Sequence, residues 1–196
     1  MKNLILIFLS FLFTPNNNDT PPLRALFIGD SLTCYANGWQ QQLSEKYDYQ
    51  YTNISSGGKR TLWMVNTLTN HLNKDDNYSN VFIYGGCNDA FSYVDLQSTV
   101  NNIQKMVDLC NSRRIKPYVI IGYNPAKVIL KTPYSNDITK RSRERYIELQ
   151  KLMNGLRNCV IIPMDTTVTY SDSEDGVHLK GSGHRKFGNW VINKMK

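Results

Sequence analysis

The stretch RALFIGDSLT, residues 24–33, begins as an apolar run and ends in a glycine, an acid and a serine. A short, nearly continuous apolar run is typical of a strand that is covered on both faces. Further runs of this kind follow along the chain, at YQYTNI (49–54), NVFIYGG (80–86), KPYVIIGY (116–123) and NCVIIPM (158–164). In the run YQYTNI, apolar and polar residues alternate, so its strand signal is weaker than that of the others. Together they predict five strands.

Helical patterns lie between these runs. Residues 61–72 carry Leu62, Val65, Leu68 and Leu72 three or four positions apart, which predicts an amphipathic helix. Residues 96–109 and 139–156 show similar stripes, and a last helix is expected after residue 180, with Ser182 as its N-cap. Alternation of strands and helices predicts an α/β fold, a parallel sheet with helices on both faces.

Length and charge limit the possible classes of protein. The chain has 196 residues, enough for one domain with a sizeable core, and a formal net charge of +7. Its positive residues are dispersed except in KRSRER (140–145), which we interpret as a solvated helix face. We therefore expect no nucleic-acid partner, and the oligomeric state stays open.

The N-terminus differs from the rest of the chain. MKNLILIFLSFLF has one lysine and an apolar run too short to span a bilayer, but of the length of a signal-peptide core. Residues 1–14 are therefore interpreted as a signal peptide or N-terminal anchor, 15–23 as a polar spacer and 24–196 as the domain. The expected location is secreted, periplasmic or in the cell envelope, with membrane contact only if the segment is not cleaved.

The four cysteines, Cys34, Cys87, Cys110 and Cys159, have no metal-ligand spacing, so no zinc site is expected. Export would permit disulfides, but the sequence does not specify their pairing. Cys110 and Cys159 are equally consistent with small buried hydrophobic side chains.

Polar segments follow the strands, and the carboxyl ends of parallel strands are where such sheets bind ligands. They are GDS after the first strand, NISSGGKRT (53–61) after the second, GCND (86–89) after the third, and DGVH (175–178) well past the fifth. Each alone is typical of a turn. Together they supply a hydroxyl, an imidazole, a carboxylate and N–H donors, which are the groups that acyl transfer requires.

The four segments, in this order, resemble the blocks of the SGNH hydrolases, also called the GDSL esterases and lipases. The resemblance extends from about Arg24 to the C-terminus and implies a flavodoxin-like three-layer α/β/α sandwich with five parallel strands. The competing α/β-hydrolase motif, G-x-S-x-G around a mid-chain serine, does not fit Ser31.

Residue roles follow from the resemblance. It implies that Ser31 is the nucleophile and that His178 is the general base, oriented by Asp175. It implies an oxyanion hole made by the Ser31 amide, the Gly58 amide and the Asn88 side chain. Neither a metal nor another cofactor is expected. Cys87, inside the third block, is interpreted as a packing residue.

The expected activity is a serine esterase, an O-acetyl esterase acting on carbohydrate or envelope glycan. A lipase, a lysophospholipase or an acyl-thioesterase of the same family is the alternative, and a non-catalytic carbohydrate-binding module is the alternative of another class. The segment NPAKVILKTPYSND (124–137) is expected to form a long loop. It could pack on the domain surface or form one wall of an acyl or sugar pocket, with its lysines suited to acidic glycans.

Overall fold

The computed structural model describes residues 22–129 and 136–195, with the side chains of 136–139 left out. The segment interpreted as a signal peptide or anchor, and most of the spacer, lie outside these ranges. One sheet contains β1 (Arg24–Gly29), β2 (Gln50–Asn53), β3 (Asn80–Tyr84), β4 (Lys116–Ile120) and β5 (Val160–Ile162). All its ladders are parallel and the order is β2-β1-β3-β4-β5. The predicted five-stranded parallel sheet is confirmed, with the flavodoxin-like strand order.

Helices connect the strands. The described residues contain α1 (Trp39–Tyr47), α2 (Thr61–Leu72), α3 (Cys87–Phe91), α4 (Leu96–Ser112), α5 (Pro125–Val128), α6 (Asn136–Met153) and α7 (Gly181–Lys194). A 3₁₀ turn spans Tyr170–Asp172. The sequence patterns predicted α2, α4, α6 and α7 but missed the other three helices. Helices α3 and α5 are too short to show a helical repeat of apolar residues, and α1, WQQQLSEKY, has few apolar residues.

The centre of the sheet is aromatic on the face that α1 and α7 cover. Phe27 of β1 stacks on Phe82 of β3, and Phe82 stacks on Tyr118 of β4, each pair with ring centroids 4.8 Å apart. Trp39 of α1 meets Phe27 edge-on at 5.5 Å and meets Phe187 of α7 at 5.8 Å. Such pairs contribute roughly 0.5–1.5 kcal/mol each beyond the burial of their area. They hold β1, and therefore the turn that follows it, against the core.

The second helical layer consists of α2, α4 and α6, which pack side by side. Helix α2 buries Met64, Leu68 and Leu72, one residue per turn. The sequence stripe placed Leu62 on this face, which is wrong, because Leu62 is 60% exposed. Met64, not Leu62, continues the line of Leu68 and Leu72, since residues four apart share one face of a helix.

Helix α7 begins at Gly181, two residues earlier than an N-cap at Ser182 would place it. Lys180 is the N-cap, and the His184 N–H donates to the Lys180 carbonyl at 2.9 Å. Ser182 therefore lies inside the first turn and is exposed, so its assignment as N-cap is wrong. The first turn is packed tightly against the preceding 3₁₀ turn, because a Cβ on Gly183 would clash with the Asp172 carbonyl oxygen.

The segment predicted as a long loop is partly helical where it is described. Val128 and Ile129 are fully buried, and the Lys127 ammonium donates to the Thr166 carbonyl at 2.8 Å. This part packs on the domain, as the first of the two interpretations expected. Leu130 to Ser135 lie outside the described residues.

All four cysteines lie in the described part of the chain and are free thiols. Cys87 and Cys110 are buried, which agrees with their interpretation as packing residues, and burial raises the pKa of the Cys87 thiol well above its ordinary value. None of the described helices is both long enough and apolar enough to cross a membrane.

Candidate active site

Ser31 lies in a tight turn at the carboxyl end of β1. The Asp30 carbonyl accepts the N–H groups of Thr33 and Cys34, both at 3.1 Å, and the Asp30 carboxylate accepts the Leu32 N–H at 3.0 Å. A Cβ on Gly29 would lie 2.5 Å from the Tyr84 carbonyl oxygen. Only glycine therefore allows the turn to start this close to β3. These contacts define the backbone on both sides of the serine.

A chain of hydrogen bonds links three of the residues that the sequence singled out. The Ser31 hydroxyl lies 3.0 Å from Nε2 of His178, although the two residues are 147 positions apart. Nδ1 of the same ring lies 2.7 Å from Oδ2 of Asp175. The contact expected between the serine hydroxyl and the imidazole is therefore present.

The carboxylate determines which imidazole nitrogen carries the proton. A carboxylate can only accept, so Nδ1–H of His178 donates to Asp175 and leaves Nε2 free to accept from the Ser31 hydroxyl. Burial raises the pKa of Asp175, but hydrogen bonds from the N–H and ring of His178 and from the Val177 N–H outweigh it and hold that pKa below its ordinary value. Asp175 is therefore ionised at neutral pH and can orient the ring.

The donors expected around an oxyanion lie on two neighbouring segments. A Cβ on Gly57 would be 3.9 Å from Cβ of Ser31, so the glycine segment borders the serine. Gly58 has φ of +68°, a conformation that favours glycine. The Asn88 side chain donates to the Lys59 carbonyl at 3.1 Å, which ties the two segments together. Among the described residues, the N–H groups of Ser31 and Gly58 have no acceptor.

The Asp175–His178 loop is anchored from outside. The Tyr123 hydroxyl donates to the Val177 carbonyl at 2.7 Å. The Glu174 N–H donates to the His178 carbonyl at 2.7 Å, and a β-bridge joins Ser173 to Leu179. Tyr123, past β4, was not singled out in the sequence, because nothing near it in the chain indicates a partner 54 residues away.

Three other residues received no role in the sequence analysis. Asp89 is buried and accepts from both the N–H and the hydroxyl of Thr61, at 2.9 and 2.6 Å, so it holds the start of α2 against α3. Asn53 donates to the Thr33 carbonyl at 2.8 Å. Tyr35 lies beside the His178 ring, with centroids 6.4 Å apart. Asp89 and Asn53 belong to the quoted blocks, so their position was available but their structural role was not.

Asp30, the acid next to the serine, is fully buried. Its Oδ2 has no hydrogen-bond partner among the described residues. Burial raises the pKa of Asp30 to about 7, only partly offset by the Leu32 N–H. Asp30 therefore shapes the turn and does not contact the imidazole chain.

Comparisons with known proteins agree with this geometry. The model of the GDSL-like lipase/acylhydrolase family matches residues 27–186. No curated protein matches the chain. A solved structure of a member of the lipolytic G-D-S-L family from Veillonella parvula is 16% identical, with a TM-score of 0.67, covering 87% of this chain and 97% of that one.

Two acetyl xylan esterases also share the fold. One, AlAXEase, is 19% identical with a TM-score of 0.61, covering 89% of this chain and 100% of that one. The other is a catalytic mutant of the enzyme from Geobacillus stearothermophilus, 16% identical with a TM-score of 0.63, covering 88% and 94%. At these identities the structures establish the fold. The family model spans most of the chain, and the chain therefore belongs to the GDSL-like lipase/acylhydrolase family and is a carboxylic ester hydrolase.

Proposed function

We propose that this protein is a serine O-acetyl esterase that acts on carbohydrate. The observation that carries the catalytic part is the hydrogen-bond chain from Asp175 through His178 to Ser31. It supplies a nucleophile, a base and a carboxylate that orients the base, in the geometry that acyl transfer needs.

The reaction proceeds in two halves. Ser31 Oγ attacks the ester carbonyl carbon while Nε2 of His178 takes the hydroxyl proton, and the N–H groups of Ser31 and Gly58 with the Asn88 amide stabilise the oxyanion. His178 then gives that proton to the departing alcohol, which leaves an acyl group on Ser31. In the second half His178 deprotonates a water molecule, which attacks the acyl carbonyl and releases the acid and the serine.

The substrate part of the proposal is supported by the surroundings of the oxyanion site. The space next to Gly58 is lined by the polar residues Lys59, Arg60 and Asn66 together with the apolar residues Leu62, Trp63 and Val94. A long acyl chain needs a continuous apolar lining, whereas a lining that mixes cations and amides with apolar side chains suits a polar alcohol such as a sugar. The two acetyl xylan esterases with this fold agree with a small acyl group on a glycan. These observations favour acetyl esters over the lipid substrates of a lysophospholipase. A non-catalytic carbohydrate-binding module would not need the hydrogen-bond chain from Asp175 through His178 to Ser31.

We also propose export to the cell envelope or the medium. This rests on residues 1–14, which carry the lysine and the apolar run of a signal peptide.

The decisive experiment is hydrolysis of p-nitrophenyl acetate by purified variants. Ser31→Ala is expected to lower kcat by at least about 10⁴-fold, and Asn88→Ala by about 10²–10³-fold, because one oxyanion donor is lost. Ser182→Ala, an exposed serine on α7, is the matched control and is expected to retain wild-type turnover. If Ser31→Ala keeps wild-type activity, the assignment is wrong.

Substrate class is tested separately, by measuring acetate release from acetylated glycans beside hydrolysis of p-nitrophenyl esters of increasing chain length. We expect release of acetate and falling rates with longer chains. Cleavage of long-chain esters alone would contradict the deacetylase proposal and leave the serine assignment intact.

A further inference from the structure

A groove of about 610 Å³ opens beside the candidate oxyanion site. Gly58 borders both, and the Lys59 carbonyl, one residue on, accepts the Asn88 amide at 3.1 Å. Gly57, one residue before, lies against Ser31. A substrate whose carbonyl lies at Ser31 can therefore extend one of its two substituents into this groove.

The lining of the groove is mixed in chemistry. Its walls come from the glycine segment, the first two turns of α2, and the start of α4, including Lys59, Arg60, Leu62, Trp63, Asn66 and Asn102. Trp63 is half-buried and presents an aromatic surface, while the two asparagines offer amide donors and acceptors. One flat apolar face with polar groups around it is suited to a sugar ring, which has an apolar face and a rim of hydroxyls.

Two cations in this groove, Lys59 and Arg60, have no acidic partner among the residues that the structure describes. No ion pair to Lys59 or Arg60 occurs within the described ranges. The Lys59 ammonium lies 5.6 Å from the centre of the Trp63 ring, a cation–π contact that leaves its hydrogens available. The one carboxylate in the lining, Asp89, is buried, and both of its oxygens accept from Thr61.

Positive charge is therefore in excess at the place where the substrate enters. An arginine and a lysine on consecutive residues can contact one carboxylate together, since the guanidinium presents a planar fork of donors and the ammonium a point charge. The arrangement combines an aromatic ring for a sugar face with two cations for an acid.

We propose that this groove binds the alcohol part of the ester and that this alcohol is an acidic sugar, a uronic acid with its carboxylate held by Lys59 and Arg60. The inference rests on the proposed function, since it names the substrate class of that same site. It also accounts for the exposed Leu62, which lines the groove instead of the core.

The test uses two esters that differ only in the acid: a mono-O-acetyl methyl glucuronoside and the corresponding mono-O-acetyl methyl glucoside. Acetate release at neutral pH gives kcat/KM for each. We expect the acidic ester to be favoured roughly tenfold at low salt, because two partly exposed ion pairs contribute modestly. The preference is expected to fall as salt rises from about 0.05 M to about 0.5 M.

The variant Lys59→Gln/Arg60→Gln is expected to reduce the ratio of the two kcat/KM values to about one, since only the electrostatic contribution is removed. Lys46→Gln/Lys74→Gln is the matched control. Both residues are exposed, lie away from the groove and carry the same total charge, so the ratio should stay at its wild-type value. Equal loss of preference in both double variants would overturn the groove assignment, because it would show a general charge effect.

A binding measurement separates the groove from the chemistry. In the Ser31→Ala background, calorimetry with an unesterified glucuronic acid oligosaccharide should show binding roughly tenfold tighter than that of a neutral oligosaccharide, and the Lys59→Gln/Arg60→Gln change should remove this difference. Equal binding of the two oligosaccharides, or equal turnover of the two esters, overturns the acidic-sugar proposal while acetate release still supports the esterase. Failure to cleave either sugar ester, with long-chain esters cleaved, overturns the proposed function instead.

Discussion

Two carboxylates flank Ser31, and their surroundings are opposite. Asp30, the neighbour in sequence, is fully buried, receives one backbone N–H and has a pKa raised to about 7. Asp175 lies far from Ser31 in the sequence; its side chain is 46% exposed and accepts hydrogen bonds from two backbone N–H groups and from the His178 ring, which hold its pKa below the ordinary value. The pKa values of the two carboxylates differ because of solvent exposure and hydrogen-bond donors, not because of distance from Ser31 along the chain.

The difference explains why the imidazole is oriented by the distant acid. A base needs an ionised carboxylate within reach, and ionisation requires water or donors to stabilise the charge. Asp175 has both. Asp30 has one donor and no water-exposed surface, so it is protonated through most of the acidic range and serves as an acceptor that shapes the turn. Three changes, ordered by expected effect, test this comparison.

The largest effect is expected for Asp175→Asn. The amide would present a donor or a weak acceptor to Nδ1 of His178, so the ring would lose its preferred tautomer and kcat for p-nitrophenyl acetate should fall about 10⁴-fold. Because Asp175 is half-exposed, the melting temperature should change little. Glu148→Gln, an exposed acid on α6, is the control for loss of one negative charge. Wild-type kcat in Asp175→Asn would remove Asp175 from the mechanism.

Asp30→Asn should act on stability and on its pH dependence. Below pH 3.8, the ordinary pKa, Asp30 is protonated in both the folded and the unfolded state and costs folding nothing. As the pH rises towards about 7, the unfolded chain ionises first, so the wild type loses stability; above that range the loss is constant. The amide cannot ionise and keeps the acceptor for Leu32.

The test is to measure the free energy of unfolding by urea as a function of pH for the wild type and for Asp30→Asn. Relative to the variant, the wild type should lose a few kcal/mol between about pH 4 and about pH 8, at roughly 1.4 kcal/mol per pKa unit. Glu148→Gln should show no such trend. A difference that is constant with pH would mean that Asp30 is not buried as a neutral acid.

The smallest effect is expected for Tyr123→Phe, which tests how firmly the loop that carries Asp175 must be held. The change removes the hydroxyl that holds the Val177 carbonyl at 2.7 Å. One lost hydrogen bond should cost about 1 kcal/mol of unfolding free energy. Turnover should fall a few-fold with KM nearly unchanged, because the loop positions His178 and not the substrate.

Tyr118→Phe is the control, since Tyr118 lies on β4 in the core and contributes its ring to the stack with Phe82. Equal effects of the two Tyr→Phe changes on kcat would show that Tyr123 stabilises the domain without positioning the loop.

Local patterns predicted most of the scaffold. The limits of α2, 61–72, agree with its apolar spacing, and the five apolar runs contain the five strands. Apolar periodicity gave wrong predictions where tertiary packing determines which residues are buried. In α1, Gln40 and Ser44 are buried polar residues whose burial no hydrophobicity rule predicts. Leu62 was assigned to the core because its spacing from Val65 fits a stripe, yet the oxyanion segment leaves it facing a groove.

The sequence by itself determined that apolar runs end in turns carrying Ser31, Asn88 and His178, because strand formation and turn chemistry depend on near neighbours in the chain. Only the tertiary structure decided that Ser31 and His178 lie 3.0 Å apart, that Asp30 is buried while Asp175 is solvent-exposed, and that Lys59 and Arg60 form no ion pair within the described part of the chain. Distances across the sheet, desolvation and charge pairing depend on segments far apart in sequence, and no local pattern contains them.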